Sequence, residues 1–286
     1  MDKLKGIVVD SCCDLTPELR LSPYIEMVPL KIMVDGSNEY TDDGSIEITE
    51  LLSDIAASKK AVHTSCPTVE EYYTAMEKYD EVYVVTLSDK LSGSHNTANI
   101  AKDNLLEEYP NKKVHIFDSK SASAGELLIL LQLIDYINED TPFDLIVKNT
   151  ENFISKMHTL FVLEDLSILR KNGRLGKVTG LLASMLNFCP IMSDNGDGEI
   201  MALSKVRGIK KSLAKLTDIV ATMTENYAEG SLRLVISYCN CLERANKLKA
   251  VIQEKCKAFN EIKLFHTGGL SSTYANDGGI ILAFSL

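Results

Sequence analysis

Short apolar runs rich in β-branched residues recur along the chain, at Gly6–Asp10, Met27–Val34, Glu81–Leu87, Lys113–Phe117, Leu232–Ser237 and Glu261–Phe265. Their length and composition predict β-strands. Helical patterns lie between several of them. Residues 69–79 follow Pro67 and a capping box in which Thr68 precedes Glu71 by three. Residues 95–109 follow a Ser-Gly-Ser turn, and residues 122–138 follow an Asp-Ser turn. The clearest helix covers 208–226, with Ile209, Leu213, Leu216, Val220 and Met223 on one stripe. Strands alternating with helices predict an α/β fold, in which a parallel or mixed sheet is covered by helices.

The pattern shifts after NEDTPFD (138–144), which breaks two helical patterns with its proline. Beyond it, Met157–Glu164 is strand-like and KNGRLGKVTG (171–180) is rich in glycine. Residues 189–206 contain two strand halves around Asn-Gly and Asp-Gly, a hairpin signal. Two α/β lobes meeting near 140–160 are expected. They form a single module spanning 1–286, with an N-terminal lobe at 1–150 and a C-terminal lobe at 151–286.

At 286 residues, with 45% hydrophobic and 24% charged positions, the chain can bury a core without disulfides or metal. A net charge of −10 repels phosphate backbones and anionic bilayers, so a small ligand or another protein is the expected partner. Seven cysteines with no CxxC pair suit a reduced compartment. Cys239 and Cys241 read as buried thiols on one face of a strand. The start, MDKLKG, leads into a strand without an apolar leader, and LLILLQLIDYI from Leu127 is too short to span a bilayer. A cytoplasmic protein is expected, without nucleic acid and without stable membrane insertion.

The common catalytic motifs fail. Residues 171–179 lack the first glycine and the final hydroxyl of a P-loop, and no GxSxG elbow or dinucleotide fingerprint is present. DNGDGE at 194–199 suits a tight hairpin better than a calcium loop. Asp10 ends the first strand as an aspartyl nucleophile would, but the position two residues on is Cys12. The five histidines are scattered, so neither a metal nor a catalytic residue is expected.

What remains is a set of hydroxyl-rich turns at strand ends. AVHTSCPTVEE places Thr64 and Ser65 before a capped helix, and VYVVTLSDKLSGSHNTA runs a strand through Ser92, Gly93 and Ser94 into another. The carboxyl ends of strands in an α/β sheet form a crevice, where helix N-termini offer N–H groups to an anion. Thr64 and Ser92 can donate to a carboxylate or phosphate there, and Gly93 lets backbone approach closely. The same residue types are also ordinary helix caps and turn formers. The Ser-rich turn after Asp118 reads as an ordinary turn, and Arg170 and Arg174 can serve as helix-end charges.

At these residues the sequence resembles the DegV family of bacterial fatty-acid-binding proteins, from VVDSCCDLT through GGIILAF. TSCPT (64–68) is similar to the family's Thr-Ser-x-Pro-Ser signature, and TLSDKLSGSHNTA (86–98) to its Leu-Ser-Gly-Thr turn, with Ser94 replacing Thr. ILRKNGRLGK (168–177) resembles its Gly-Arg segment, and SKVRG (204–208) its Lys-x-Arg-Gly.

The resemblance implies two α/β lobes holding a long-chain fatty acid as ligand, with no further cofactor. Thr64 and Ser92 would hold the carboxylate, helped by Ser65 and the Gly93–Ser94 backbone. Arg174 and Arg207 would make contacts on the ligand side or the kinase side. The family's C-terminal His would be matched by His266 or by the Tyr274–Asn276 region, including Asn276. A separate fatty acid kinase would phosphorylate the presented carboxylate, so the chain itself is expected not to be an enzyme. The rival readings are a paralogue binding another lipid-like carboxylate without kinase coupling, and a cysteine-dependent acyl-transfer enzyme using Cys66, Cys12 or Asp10. Leu127–Leu133, Phe161–Leu169 and Leu181–Phe188 are candidate linings for an acyl tunnel, and each also reads as plain core.

Overall fold

The computed structural model describes residues 4–176 and 188–286. Strand β1 (Lys5–Asp10) is followed by a short helix α1 (Pro17–Arg20), then β2 (Ile25–Val28), β3 (Lys31–Val34) and β4 (Asn38–Thr41). Next come α2 (Ile48–Ala57), β5 (His63–Ser65), α3 (Val69–Glu77), β6 (Glu81–Thr86) and α4 (Ser94–Glu108). Strand β7 (Lys113–Asp118) leads to α5 (Ala124–Asn138) and α6 (Phe143–Ser155). Beyond these lie β8 (Met157–Val162), α7 (Ser167–Lys171), β9 (Ile191–Asp194), β10 (Ile200–Ser204) and α8 (Ile209–Thr224). The chain closes with β11 (Leu232–Tyr238), α9 (Leu242–Lys255), β12 (Phe259–His266), α10 (Gly269–Ala275) and β13 (Ile280–Ser285).

Among the described residues three sheets form. A parallel sheet has the order β2-β1-β6-β7, with Val9 opposite Val85. A small antiparallel sheet has the order β4-β3-β5. The third has six strands in the order β10-β9-β8-β13-β11-β12, antiparallel except for the β11–β12 pair. The α/β class is as expected. The run Met27–Val34 divides at Pro29 into β2 and β3, which belong to different sheets. Proline has no N–H to continue a ladder, so the chain leaves one sheet and enters the next there.

Helix α5 is apolar nearly all round and packs against strands of both larger sheets. A helix of that composition belongs in the interior. Its residues Leu127–Leu133 are core and do not line the cavity described below. Helix α8 buries Leu216 and Val220 fully against the six-stranded sheet, with Ile209, Leu213 and Met223 packed beside them. The Cys239–Cys241 pair departs from expectation. Strand β11 ends at Tyr238, Asn240 takes a positive φ of 50°, and Cys241 precedes α9. The two thiols therefore sit in a turn rather than on a strand face, Cys239 buried and Cys241 half-buried.

Candidate ligand-binding site

The loop between β6 and α4 is built on serine chemistry. Leu91 and Ser92 both donate their N–H to the Ser88 carbonyl at 3.0 Å, which folds the chain back into a turn. Leu87 N donates to Asp10 Oδ2 at 2.9 Å, tying the loop to the end of β1. Ser92 Oγ accepts from Ser94 N at 3.2 Å and lies 3.0 Å from Ser94 Oγ. Gly93 follows at the start of α4, where an added Cβ would meet Cys66 Sγ at 3.3 Å. Thr64 lies opposite Ile32 in the β3–β5 ladder, and the capping box at Thr68 and Glu71 starts α3 just beyond it.

A C-terminal element completes the site. Helix α10 begins at Gly269, and two carboxylates from distant chain cap its N-terminus. Asp14 Oδ1 accepts from Gly268 N at 2.8 Å, and the two Asp42 oxygens accept from Gly269 N and Leu270 N, each at 2.8 Å. Negative groups at a helix start satisfy free N–H groups and complement the helix dipole. Asp14 also accepts a short hydrogen bond from Ser123. Burial raises both carboxyls, Asp14 to about 6, in opposition to the hydrogen bonds they accept. Held this way, α10 brings the Tyr274 hydroxyl within 2.7 Å of Thr64 Oγ1.

These groups face one cavity of about 370 Å³. Thr64, Ser65, Ser92, Gly93, Arg174 and Tyr274 give it polar character, and Leu91, Phe161, Leu163, Leu169, Leu270 and Ile281 give it apolar walls. A few convergent polar groups on an apolar cavity of this size suit an amphipathic small molecule. Arg174 reaches in from the segment after α7 and donates from Nε to the Leu91 carbonyl at 3.0 Å, which sets its guanidinium beside the serine loop. Of the candidate tunnel segments, Phe161–Leu169 contributes Phe161, Leu163 and Leu169. Leu181–Phe188 lies outside the described residues apart from Phe188.

Other expected site residues fall elsewhere. Ser94 is fully buried behind Ser92 and acts on the site through that hydroxyl. His266 ends β12 with Nε2 at 3.1 Å from Asn240 Oδ1 and Nδ1 at 3.0 Å from the Thr267 carbonyl, away from the cavity lining. Asn276 sits at a positive φ of 55° after α10, with Nδ2 at 3.5 Å from Asp165. Arg207 is exposed, in a bridge with Phe188. Tyr274, rather than His266 or Asn276, is the side chain of this region that lies beside Thr64 in the cavity. Its position was legible only by counting back from Gly278-Gly279.

The thiols are poorly placed for acyl chemistry. Cys66 Sγ lines the cavity but lies 3.7 Å from Thr97 Oγ1, a hydroxyl and not a base. Burial pushes the Cys12 thiol well above its ordinary range, and the neighbouring acids add to this. Asp10 accepts from the backbone N–H groups of Cys12 and Leu87 and does not line the cavity.

The comparisons agree with this architecture. Residues 5–285 match the family described as "Uncharacterised protein, DegV family". The chain belongs to the DegV family. A DegV domain-containing protein of Streptococcus pyogenes serotype M3 is 34% identical over 285 residues, covering 98% of this chain and 99% of its own length. A DegV family crystal structure from Ruminococcus gnavus, described with vaccenic acid, is 40% identical with a TM-score of 0.92, covering 99% of this chain and 100% of its own. The Streptococcus pneumoniae fatty acid kinase (Fak) B3 protein, loaded with linoleic acid, is 32% identical with a TM-score of 0.90 and covers 99% of both chains. The DegV fold is thus shared over nearly the full chain.

Proposed function

We propose that this DegV protein binds one long-chain fatty acid, its carboxylate at Thr64, Ser92 and Tyr274 and its acyl chain along the apolar walls. The observation that carries this reading is the convergence of those three hydroxyls, from β5, the β6–α4 loop and α10, on one cavity. Each buried methylene contributes about 0.8 kcal/mol, so the chain supplies affinity while the hydroxyls fix the head. Arg174 supplies positive charge beside the head group, Ser65 and the Gly93–Ser94 backbone complete the cradle, and Arg207 faces outward for a partner. The similarity to the pneumococcal fatty acid kinase B3 protein supports presentation of the carboxylate to a separate kinase. In this reading the chain is a carrier and not the catalyst, with its 1–150 and 151–286 lobes forming one module. No helix among the described residues is long and apolar enough to cross a membrane, which suits a carrier working in the cytoplasm.

Titration of delipidated protein with oleic acid and with its methyl ester tests the polarity of the head site. Esterification removes the charge that the hydroxyls and Arg174 serve, so the ester binds at least about tenfold more weakly. Equal affinities would overturn the head-group assignment. Tyr274→Phe keeps the ring and removes the hydroxyl, and should weaken oleate by about tenfold in the same assay. An unchanged affinity there would remove Tyr274 from the cradle.

A further inference from the structure

Beside the carboxylate cradle lies a second group of side chains that fatty-acid binding leaves unused. Asp10 closes β1, Cys12 follows it and lines the cavity, and Glu126 reaches both from the first turn of α5. All three are buried, with exposures of 0% for Asp10 and Glu126 and 3% for Cys12. One ligand atom from each lies within 4.8 Å of the others. Neither oxygen of Glu126 has an N–H or hydroxyl donor. Asp10 and Cys12 lie within hydrogen-bonding reach of that carboxyl, and Asp14 adds a further acid nearby. A carboxyl buried among acids, with no N–H or hydroxyl donor for its oxygens, is neutralised either by a proton or by a cation.

We propose that Asp10, Cys12 and Glu126 form a site for a single thiophilic divalent cation, zinc(II) being the best chemical match. Magnesium and calcium favour all-oxygen shells of six or more ligands, whereas a thiolate with two carboxylates suits zinc. Metal–ligand bonds of about 2.0–2.3 Å would draw the three donors together around the ion. Asp10 is already oriented, since its oxygens accept from Cys12 N at 3.1 Å and Leu87 N at 2.9 Å and each keeps a second lone pair. Because Leu87 opens the serine loop, the cation would brace β1 and α5 against the turn that carries Ser92. Linear spacing hides this site, since Glu126 joins the other two only through the packing of α5 on the turn Ser11–Cys13 after β1.

The test uses the full chain, stripped with a chelator and reloaded with zinc sulfate alone. After gel filtration, elemental analysis should find one zinc per chain. Glu126→Gln and Cys12→Ser should each weaken zinc binding at least tenfold, while Cys239→Ser leaves it unchanged. Cobalt(II) in place of zinc should give a thiolate charge-transfer band that Cys12→Ser abolishes. The cobalt spectrum of the unsubstituted chain decides the matter even where a variant fails to fold, because absence of that band overturns the site. Zinc at background level also overturns it, as does zinc retained by both variants. In that event, a Glu126→Gln protein at least as heat-stable as the parent would show that a proton, not a metal, neutralises the cluster.

Discussion

Thr64→Val combined with Ser92→Ala is expected to lower fatty-acid affinity by about two orders of magnitude. Each hydroxyl serves a charged head group, and a hydrogen bond to a charge contributes about 1.5–3 kcal/mol, so losing two costs about 3 kcal/mol or more. The substitutions remove little packing, since valine is nearly the shape of threonine and Ser92 is only partly buried in its loop. Thermal unfolding should therefore stay cooperative, with a midpoint close to that of the parent. Retention of fatty acid at the parental level, measured by lipid extraction and by titration, would remove both residues from the anchoring role.

Asp42→Ala should have the largest effect on stability. Its carboxylate lies in the N-terminal half of the chain and takes both Gly269 N and Leu270 N at the start of α10. Alanine leaves two buried N–H groups without an acceptor, at about 1–3 kcal/mol each. A total near 3 kcal/mol corresponds to a fall in Tm of roughly 6–12 °C for a chain of this size. Because α10 also carries Tyr274 to Thr64, oleate affinity should fall with it. Asp42→Asn keeps one acceptor and should lose about half as much stability. A midpoint within about 2 °C of the parent for Asp42→Ala would show that α10 is held by its apolar contacts alone.

The elements legible in the sequence were those whose apolar pattern carries its own period. Strands β1, β6, β7, β11 and β12 and helices α3, α4, α5 and α8 all follow runs or stripes visible in the linear chain. The β9–β10 hairpin was legible from its Asn-Gly and Asp-Gly turns, where Gly196 and Gly198 take positive φ. Helix α10 was not. Its sequence GLSSTYA has no apolar stripe and no capping side chain of its own, and its N-terminal acceptors are Asp14 and Asp42, more than two hundred residues earlier. Helix α9 begins after Cys241 without a side-chain cap, so no start signal announced it. The split of Met27–Val34 into two sheets depends on Pro29, whose effect on an apolar run is visible only once the partner strands are known.

The site divides in the same way. Thr64, Ser65, Ser92 and Gly93, which line the cavity, are marked by turn chemistry at strand ends, whereas Arg174 was suggested only by the family resemblance of the Gly-Arg segment and by itself read as a helix-end charge. Tyr274 was placed only within a three-residue window, since what brings it to Thr64 is the distant capping of α10. His266 was a candidate only as a match for the family's C-terminal His, and the β12 register turns it toward Asn240 and Tyr238. Local rules find groups that a turn presents, and they miss groups that tertiary hydrogen bonds deliver.

The most direct measurement is native mass spectrometry of the protein as purified from cells, followed by denaturing extraction and identification of the released lipid. The account predicts close to one long-chain fatty acid per chain, lost in the Thr64→Val, Ser92→Ala protein. A parent protein that is empty and takes up no added oleate would contradict it.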